Sequence, residues 1–247
     1  MTQVEETISA QAAQASQAIE SVLLGKPSKT LVVFAHGAGA NMHSDFMEQV
    51  ANKLVETGVQ VLRFNFLYMQ ANMRDGKRRP PDRAPKLLNY YQQVLAEILS
   101  NINDGSLVTE NIILMGKSMG GRMSAMIMTP ELADTDKVEI HPQFEQVKKL
   151  IKGVVCLGYP FVPLKGGEPR LSPINNASCP VMVLQGERDK FGGKLEIPHW
   201  AIKDSVSLGW ITDGDHSFKP RKSSGTDLEA NLQDCVEQSQ QFIDSLV

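Results

Sequence analysis

A chain of 247 residues, 42% of them apolar, can bury the core of one sizeable α/β domain or of two small ones. A formal charge of −3 gives no electrostatic basis for binding nucleic acid or an anionic membrane surface, and no apolar run is long enough to span a bilayer. The first residues lack the basic and apolar regions of a signal peptide, and Cys156, Cys179 and Cys235 are too few and too scattered for a disulfide framework or a zinc site, so a reduced cytosol is the expected compartment.

In chain order, the first two dozen residues are Ala/Gln-rich and read clearly as neither helix nor strand, although residues 18–24 fit an added antiparallel edge strand with Gly25-Lys26-Pro27-Ser28 as its turn. Strands are expected over residues 30–35, 60–66, 111–115, 152–157, 181–185 and 205–211. Helices are expected over 44–56, 86–102, 120–128, 197–204 and 226–246, the last with Leu228, Leu232, Val236, Phe242 and Ile243 on one face. Alternation of β-rich runs with helical patterns predicts a mostly parallel central sheet covered by helices on both faces, in a single domain without internal repeats. Two connections lack helical periodicity. Residues 73–85 carry Arg74, Lys77, Arg78, Arg79 and Arg83 among three prolines, and residues 160–180 are rich in Pro and Gly. Both follow strands, which puts them at the carboxyl edge of the sheet, where ligands bind in open α/β folds.

The strongest local signal is Gly116-Lys117-Ser118-Met119-Gly120, between the apolar run Asn111-Ile112-Ile113-Leu114-Met115 and a helix-forming segment. Strand, G-x-S-x-G turn and helix together make a nucleophile elbow, which exposes a serine hydroxyl at the end of a strand and at the start of a helix. A serine needs a base, and the base an orienting acid, in the chain order Ser, Asp/Glu, His. Glu187-Arg188-Asp189 follows the strand Val181-Met182-Val183-Leu184-Gln185, and His216 lies in the Gly/Asp loop after the last strand. Ser118 is therefore expected as nucleophile, Asp189 as orienting acid with Glu187 as competitor, and His216 as base. Asp213 and Asp215 are too near in sequence to turn a carboxylate onto the His216 ring. His141 and His199 read as surface or packing residues. The loop His36-Gly37-Ala38-Gly39-Ala40 after the first parallel strand has the small residues of an oxyanion hole, with the amides of Ala38 and Met119 as donors and His36 bracing the loop. Gly37 and Gly39 would then border the substrate. Lys117 and Arg122 flank the elbow and read first as a solvated pair; joined to Arg78, Arg79 and Arg83 they would form a cationic rim for an anionic substrate. Tyr159, Phe161, Val162 and Leu164 serve equally as pocket walls or as packing, and Cys156 reads as a small buried hydrophobe.

With these segments in place, the chain resembles one branch of the α/β-hydrolases, the dienelactone-hydrolase-like proteins that include testis-expressed protein thirty and the hydrolase-like domain of NSL complex subunit three. The resemblance rests on His36-Gly37-Ala38-Gly39-Ala40-Asn41-Met42, Arg63-Phe64-Asn65-Phe66, Arg78-Arg79-Pro80-Pro81-Asp82-Arg83, Gly116-Lys117-Ser118-Met119-Gly120-Gly121-Arg122, Gly158-Tyr159-Pro160, Gln185-Gly186-Glu187-Arg188-Asp189 and Asp213-Gly214-Asp215-His216-Ser217-Phe218, in order along most of the chain. Leu67 stands where the branch carries proline. The resemblance implies an α/β-hydrolase fold and the triad Ser118, Asp189 and His216. The expected activity is a serine esterase or thioesterase on a small soluble substrate, through an acyl-enzyme, with no metal or organic cofactor. The short 160–180 connection in place of a lid predicts an open pocket. The rival expectations are a catalytically silent interaction module with an occluded triad, and transfer of the acyl group to an acceptor other than water.

Overall fold

The computed structural model describes residues 19–132 and 137–247, so the Ala/Gln-rich start and Ala18 of the expected edge strand lie outside the described residues. Among the described residues, a sheet of seven strands runs in the spatial order β1-β3-β2-β4-β5-β6-β7. The strands are β1 (Ser21–Leu24), β2 (Thr30–Ala35), β3 (Gln60–Phe64), β4 (Asn111–Lys117), β5 (Ile151–Leu157), β6 (Val181–Gly186) and β7 (Val206–Ile211). Only β1 is antiparallel, pairing with β3 so that Ser21 lies opposite Phe64. The other neighbours are parallel, with Ala35 opposite both Phe64 and Gly116 in the centre.

Every residue of β2 is buried, because both faces of a parallel sheet are covered. Alternation along the strand divides the core into two layers. Leu31, Val33 and Ala35 face one layer, shared with helix α3 (Ala84–Asn103) and helix α4 (Met119–Met126). Val32 and Phe34 face the other, filled by helix α1 (Asp45–Glu56) and the C-terminal helix α7 (Leu228–Asp244). The Leu232 and Val236 positions of the expected apolar face are buried there, and Asp227 caps the helix by accepting a hydrogen bond from the Ala230 N–H.

Four elements depart from expectation. The strand expected over residues 60–66 stops at Phe64, and helix α2 (Leu67–Asp75), which no pattern announced, follows, ended by Gly76 at φ +69°. Leu67 is the first residue of that helix, a position that accepts proline readily, which accounts for the departure from the resemblance there. Expected helix 197–204 is a single 3₁₀ turn (Ile197–His199); Trp200 is extended and its ring packs on Phe161 at 5.2 Å. The one-turn helices α5 (Phe144–Lys148) and α6 (Ser172–Asn175) are too short to carry a readable period. α6 is the only helix in the β5–β6 connection, which therefore bears no lid domain. None of the described helices is long and apolar enough to cross a membrane.

From β2 the chain crosses to β3 on one side, and the next parallel neighbour, β4, lies on the other. The carboxyl ends of β2 and β4 thus flank a topological switch point, where an open α/β sheet leaves a crevice.

Candidate active site

The serine stands at that crevice. Ser118 joins β4 to α4 with φ 51° and ψ −112°, a backbone conformation that L-residues avoid. It is held by close contact on all sides. A Cβ added at Gly116 would lie 2.1 Å from the Gly120 carbonyl carbon, and one at Gly120 would lie 2.3 Å from the Ala35 oxygen. The Ser118 N–H donates to the Leu157 carbonyl at 2.9 Å, tying the turn to β5.

The loops after β6 and β7 bring the other two residues to it. Nε2 of His216 lies 3.0 Å from Ser118 Oγ, and its Nδ1 lies 2.7 Å from Asp189 Oδ2. A carboxylate only accepts, so Nδ1 carries the proton and Nε2 is left to accept from the serine hydroxyl. Asp189 is 3% exposed; Gln185 Nε2 donates to its Oδ2 at 2.9 Å and the Phe191 N–H to its Oδ1 at 2.9 Å. Burial pushes the His216 pKa below its ordinary 6.5; the Asp189 hydrogen bond opposes this, and the nearby Lys117 charge adds to it. The ring also packs against Phe191, centroid to centroid 4.4 Å.

Glu187 is turned elsewhere: its Oε1 accepts from Lys194, and its Oε2 from the Asp213 N–H at 2.9 Å. Asp213 takes Arg221, Nε to Oδ1 2.9 Å, and Asp215 caps its own turn through the Ser217 and Lys219 N–H groups. Both carboxylates therefore shape the loop that carries His216. His43 contacts Glu48 at 3.4 Å, and His141 Nδ1 accepts from the Gln143 N–H.

His36 braces its loop. Its Nδ1 donates to the Gly37 carbonyl at 2.7 Å, and its Nε2 accepts from the Phe66 N–H at 3.1 Å. Burial lowers its pKa to about 4, so the ring is neutral as that pairing requires. Tyr68 OH donates to the Ala38 carbonyl at 3.0 Å, and the Asn65 and Arg63 side chains hold Met42. In a trans peptide the N–H points away from the carbonyl, so fixing the Gly37 C=O also fixes the Ala38 N–H. Gly37 abuts the serine: a Cβ there would lie 3.7 Å from that of Ser118. Among the described residues, neither the Ala38 nor the Met119 N–H donates a hydrogen bond.

A cavity of about 830 Å³ opens over Ser118 and His216, bordered by Gly37, Gly39, Phe46, Leu164 and Phe191. A smaller one of about 300 Å³ reaches Ser118 from the other side, past Met119 and Arg122. The serine is therefore open to solvent space, not occluded.

The expected flanking and wall residues need correcting. Lys117 is not solvated: it is 8% exposed, its Nζ donates to the His216 carbonyl, and it sits 5.3 Å from the centre of the Phe46 ring. Burial brings its pKa down to about 8. Arg122 is half-buried on the opposite side. The two are thus neither a pair nor part of one rim. Arg79 is occupied by Asp75 through both terminal nitrogens; Lys77 and Arg78 line a separate groove that meets the main cavity at Ala38, Gly39 and Leu164. Tyr159 and Phe161 are fully buried, packed edge to face with ring centroids 4.9 Å apart, and belong to the core. The apolar walls are Phe46 and Phe191, which no sequence pattern singled out, together with Leu164.

A profile described as an alpha/beta hydrolase domain matches residues 28–244. No curated protein matches the sequence. Solved structures share the fold: an alpha-beta serine hydrolase homologue from Coxiella burnetii is 15% identical over 90% of both chains, with a TM-score of 0.60. A dienelactone hydrolase from Anabaena variabilis is 18% identical over 90% of both, with a TM-score of 0.58. A serine hydrolase without a lid from Xanthomonas campestris is 16% identical over 90% of this chain and 96% of its own, with a TM-score of 0.55.

Proposed function

The chain belongs to the α/β-hydrolase family, and from that premise we propose that it is a serine hydrolase that cleaves a small soluble ester or thioester through an acyl-enzyme. The observation that carries this reading is the hydrogen-bonded line from Ser118 Oγ to His216 Nε2 and from His216 Nδ1 to Asp189. The full set of motifs supports the dienelactone-hydrolase-like branch as the chain's place within the family.

Ser118 Oγ attacks the carbonyl carbon as its proton passes to His216 Nε2. The carbonyl oxygen, now an oxyanion, takes hydrogen bonds from the Ala38 and Met119 amides. Asp189 stabilises the imidazolium, which returns the proton to the departing alcohol or thiol as its bond to the acyl carbon breaks. Water then repeats the sequence on the acyl-enzyme, releasing the acid and regenerating Ser118. The test is intact mass after treatment with a fluorophosphonate: one adduct is expected on the wild type and none on Ser118→Ala. A folded wild type that takes no adduct overturns the reading and favours the interaction module.

Two further outcomes follow from the site. Asp189→Asn presents an amide where a carboxylate held the Nδ1 proton, and turnover of an activated ester should fall by about 10³ to 10⁴. Glu187→Gln, at a side chain turned to Lys194 and the Asp213 N–H, should leave it near wild type. The base must be neutral to accept a proton, so kcat/KM should rise with pH through a midpoint below 6.5. Lys117→Met removes a positive charge that favours the neutral ring, and the pH–rate profile should move to a higher midpoint.

A further inference from the structure

We propose that Arg122 and Arg170 form a subsite for an oxyanion group on the substrate, a carboxylate or a phosphate carried close to the scissile bond. The proposal deepens the reading of Ser118 as a nucleophile and rests on it.

Arg122 lies one helical turn beyond the serine, its N–H donating to the Ser118 carbonyl at 3.0 Å. Its side chain lines the smaller cavity together with Ser118, Met119 and Arg170. The guanidinium is half-buried, yet it has no hydrogen bond or ion pair with any described residue, and its Nε is buried without an acceptor. Arg170 donates to the Pro160 carbonyl at 3.3 Å and meets no carboxylate among the described residues. The one carboxylate on this wall, Asp82, takes Lys86 on Oδ1 at 3.0 Å; its Oδ2 is buried without a hydrogen-bond partner and makes no ion pair with either arginine. Two guanidinium groups thus line a cavity of about 300 Å³ without an ion pair to any described carboxylate.

Partly desolvated charges are ordinarily paired, and like charges brought together repel. Burial and the Arg170 charge both press the Arg122 pKa downward, the direction expected of a cation lacking its counter-ion. A planar fork of N–H donors fits a carboxylate or phosphate edge in bidentate fashion. An oxyanion here would supply the missing partner while the adjoining carbonyl sits against Ser118. The Lys77–Arg79 segment is a weaker claimant: Arg79 is already paired with Asp75, and its groove does not include the serine. The substrate class that follows is a short acyl ester or thioester with a terminal negative charge, such as a half-ester of a small dicarboxylic acid or a phosphorylated acyl group.

The test compares p-nitrophenyl esters of matched length: neutral butyrate, hemisuccinate, and an acyl chain ending in phosphate. The wild type should favour one charged ester over butyrate by about tenfold or more in kcat/KM, and the preferred charge distinguishes carboxylate from phosphate. Arg122→Gln and Arg170→Gln should each lower that ratio by about tenfold, with Arg122→Lys intermediate because it keeps the charge but loses the fork. Melting temperature identifies any variant that fails to fold, in which case the other arginine carries the test. A wild-type ratio of one or below, or a ratio unchanged in folded variants, overturns the subsite. If fluorophosphonate still labels Ser118 in that event, the hydrolase reading stands alone. If Ser118 takes no label, the hydrolase reading falls, and the subsite is judged by calorimetric binding of free succinate and phosphate to the wild type. Binding lost in Arg122→Gln supports the site, and no binding overturns it.

Discussion

Ser118→Ala is expected to lower kcat/KM on p-nitrophenyl acetate by about 10⁴-fold or more, leaving a residue of activity above water. The size of the effect comes from geometry. Removing Oγ deletes the attacking atom and leaves His216 Nε2, at 3.0 Å, with no proton to accept. A water in the vacated space has no covalent path to an acyl-enzyme. His216→Ala should cost about as much, since members of one catalytic unit are not additive, and the double variant should be scarcely worse than either single. The elbow adds a second readout. Because Ser118 sits at φ 51°, alanine inherits the strain, whereas glycine does not. Ser118→Gly should therefore be as inactive as Ser118→Ala but more stable than it by about 1 kcal/mol or more, measured by urea titration. Equal stability of the two would mean that the turn is not strained.

Gly116→Ala and Gly120→Ala are expected to be the most damaging single-methyl additions in the chain. At Gly116 the new methyl would meet the Gly120 carbon at 2.1 Å, and at Gly120 it would meet the Ala35 oxygen at 2.3 Å. The atoms met are backbone of α4 at Gly116 and of the end of β2 at Gly120, so relief requires moving the helix off the centre of the sheet. A loss above about 4 kcal/mol is expected, enough to leave many domains unfolded. Soluble yield and circular dichroism would register it. Gly39→Ala is the internal control: no atom lies within 4 Å of its added Cβ, and stability should change by less than about 0.5 kcal/mol.

The same contacts explain which parts of the molecule could be read from the residues. Strands such as 30–35 were legible because burial on both faces demands an unbroken apolar run, and the long helix 228–244 because one face must be apolar while the other stays wet. Helix α2 escaped because its first turn, Leu67-Tyr68-Met69, prolongs the apolar run of β3 and disguises the change of period. The proximity of Ser118, Asp189 and His216 was legible through loop order alone, since parallel strands deliver all three to one edge. The environment of Lys117 was not. Its burial depends on Phe46 and Phe218, which come from distant segments, and on Gly158, whose missing side chain leaves room for Nζ. Tyr159 and Phe161 misled for a related reason: a loop at the active edge can still turn its aromatics inward, here beneath Trp200. Arg170 gave no signal at all, because nothing local marks which surface arginine folds over a cavity.

Leu164, 76% exposed, touches the main cavity, the Arg122 cavity and the Lys77–Arg79 groove at once. It hangs on a loop and supports no part of either core layer, so its replacement leaves the scaffold intact. The reacting atoms are locked by backbone crowding, while the partition between neighbouring chambers depends on one dispensable side chain. Such a division of labour lets mutation merge or separate the chambers without endangering the fold. Diversification of substrate scope in this molecule therefore has a low-cost route through the loop tip, and laboratory evolution for new acyl groups would be best begun there, with the elbow left untouched.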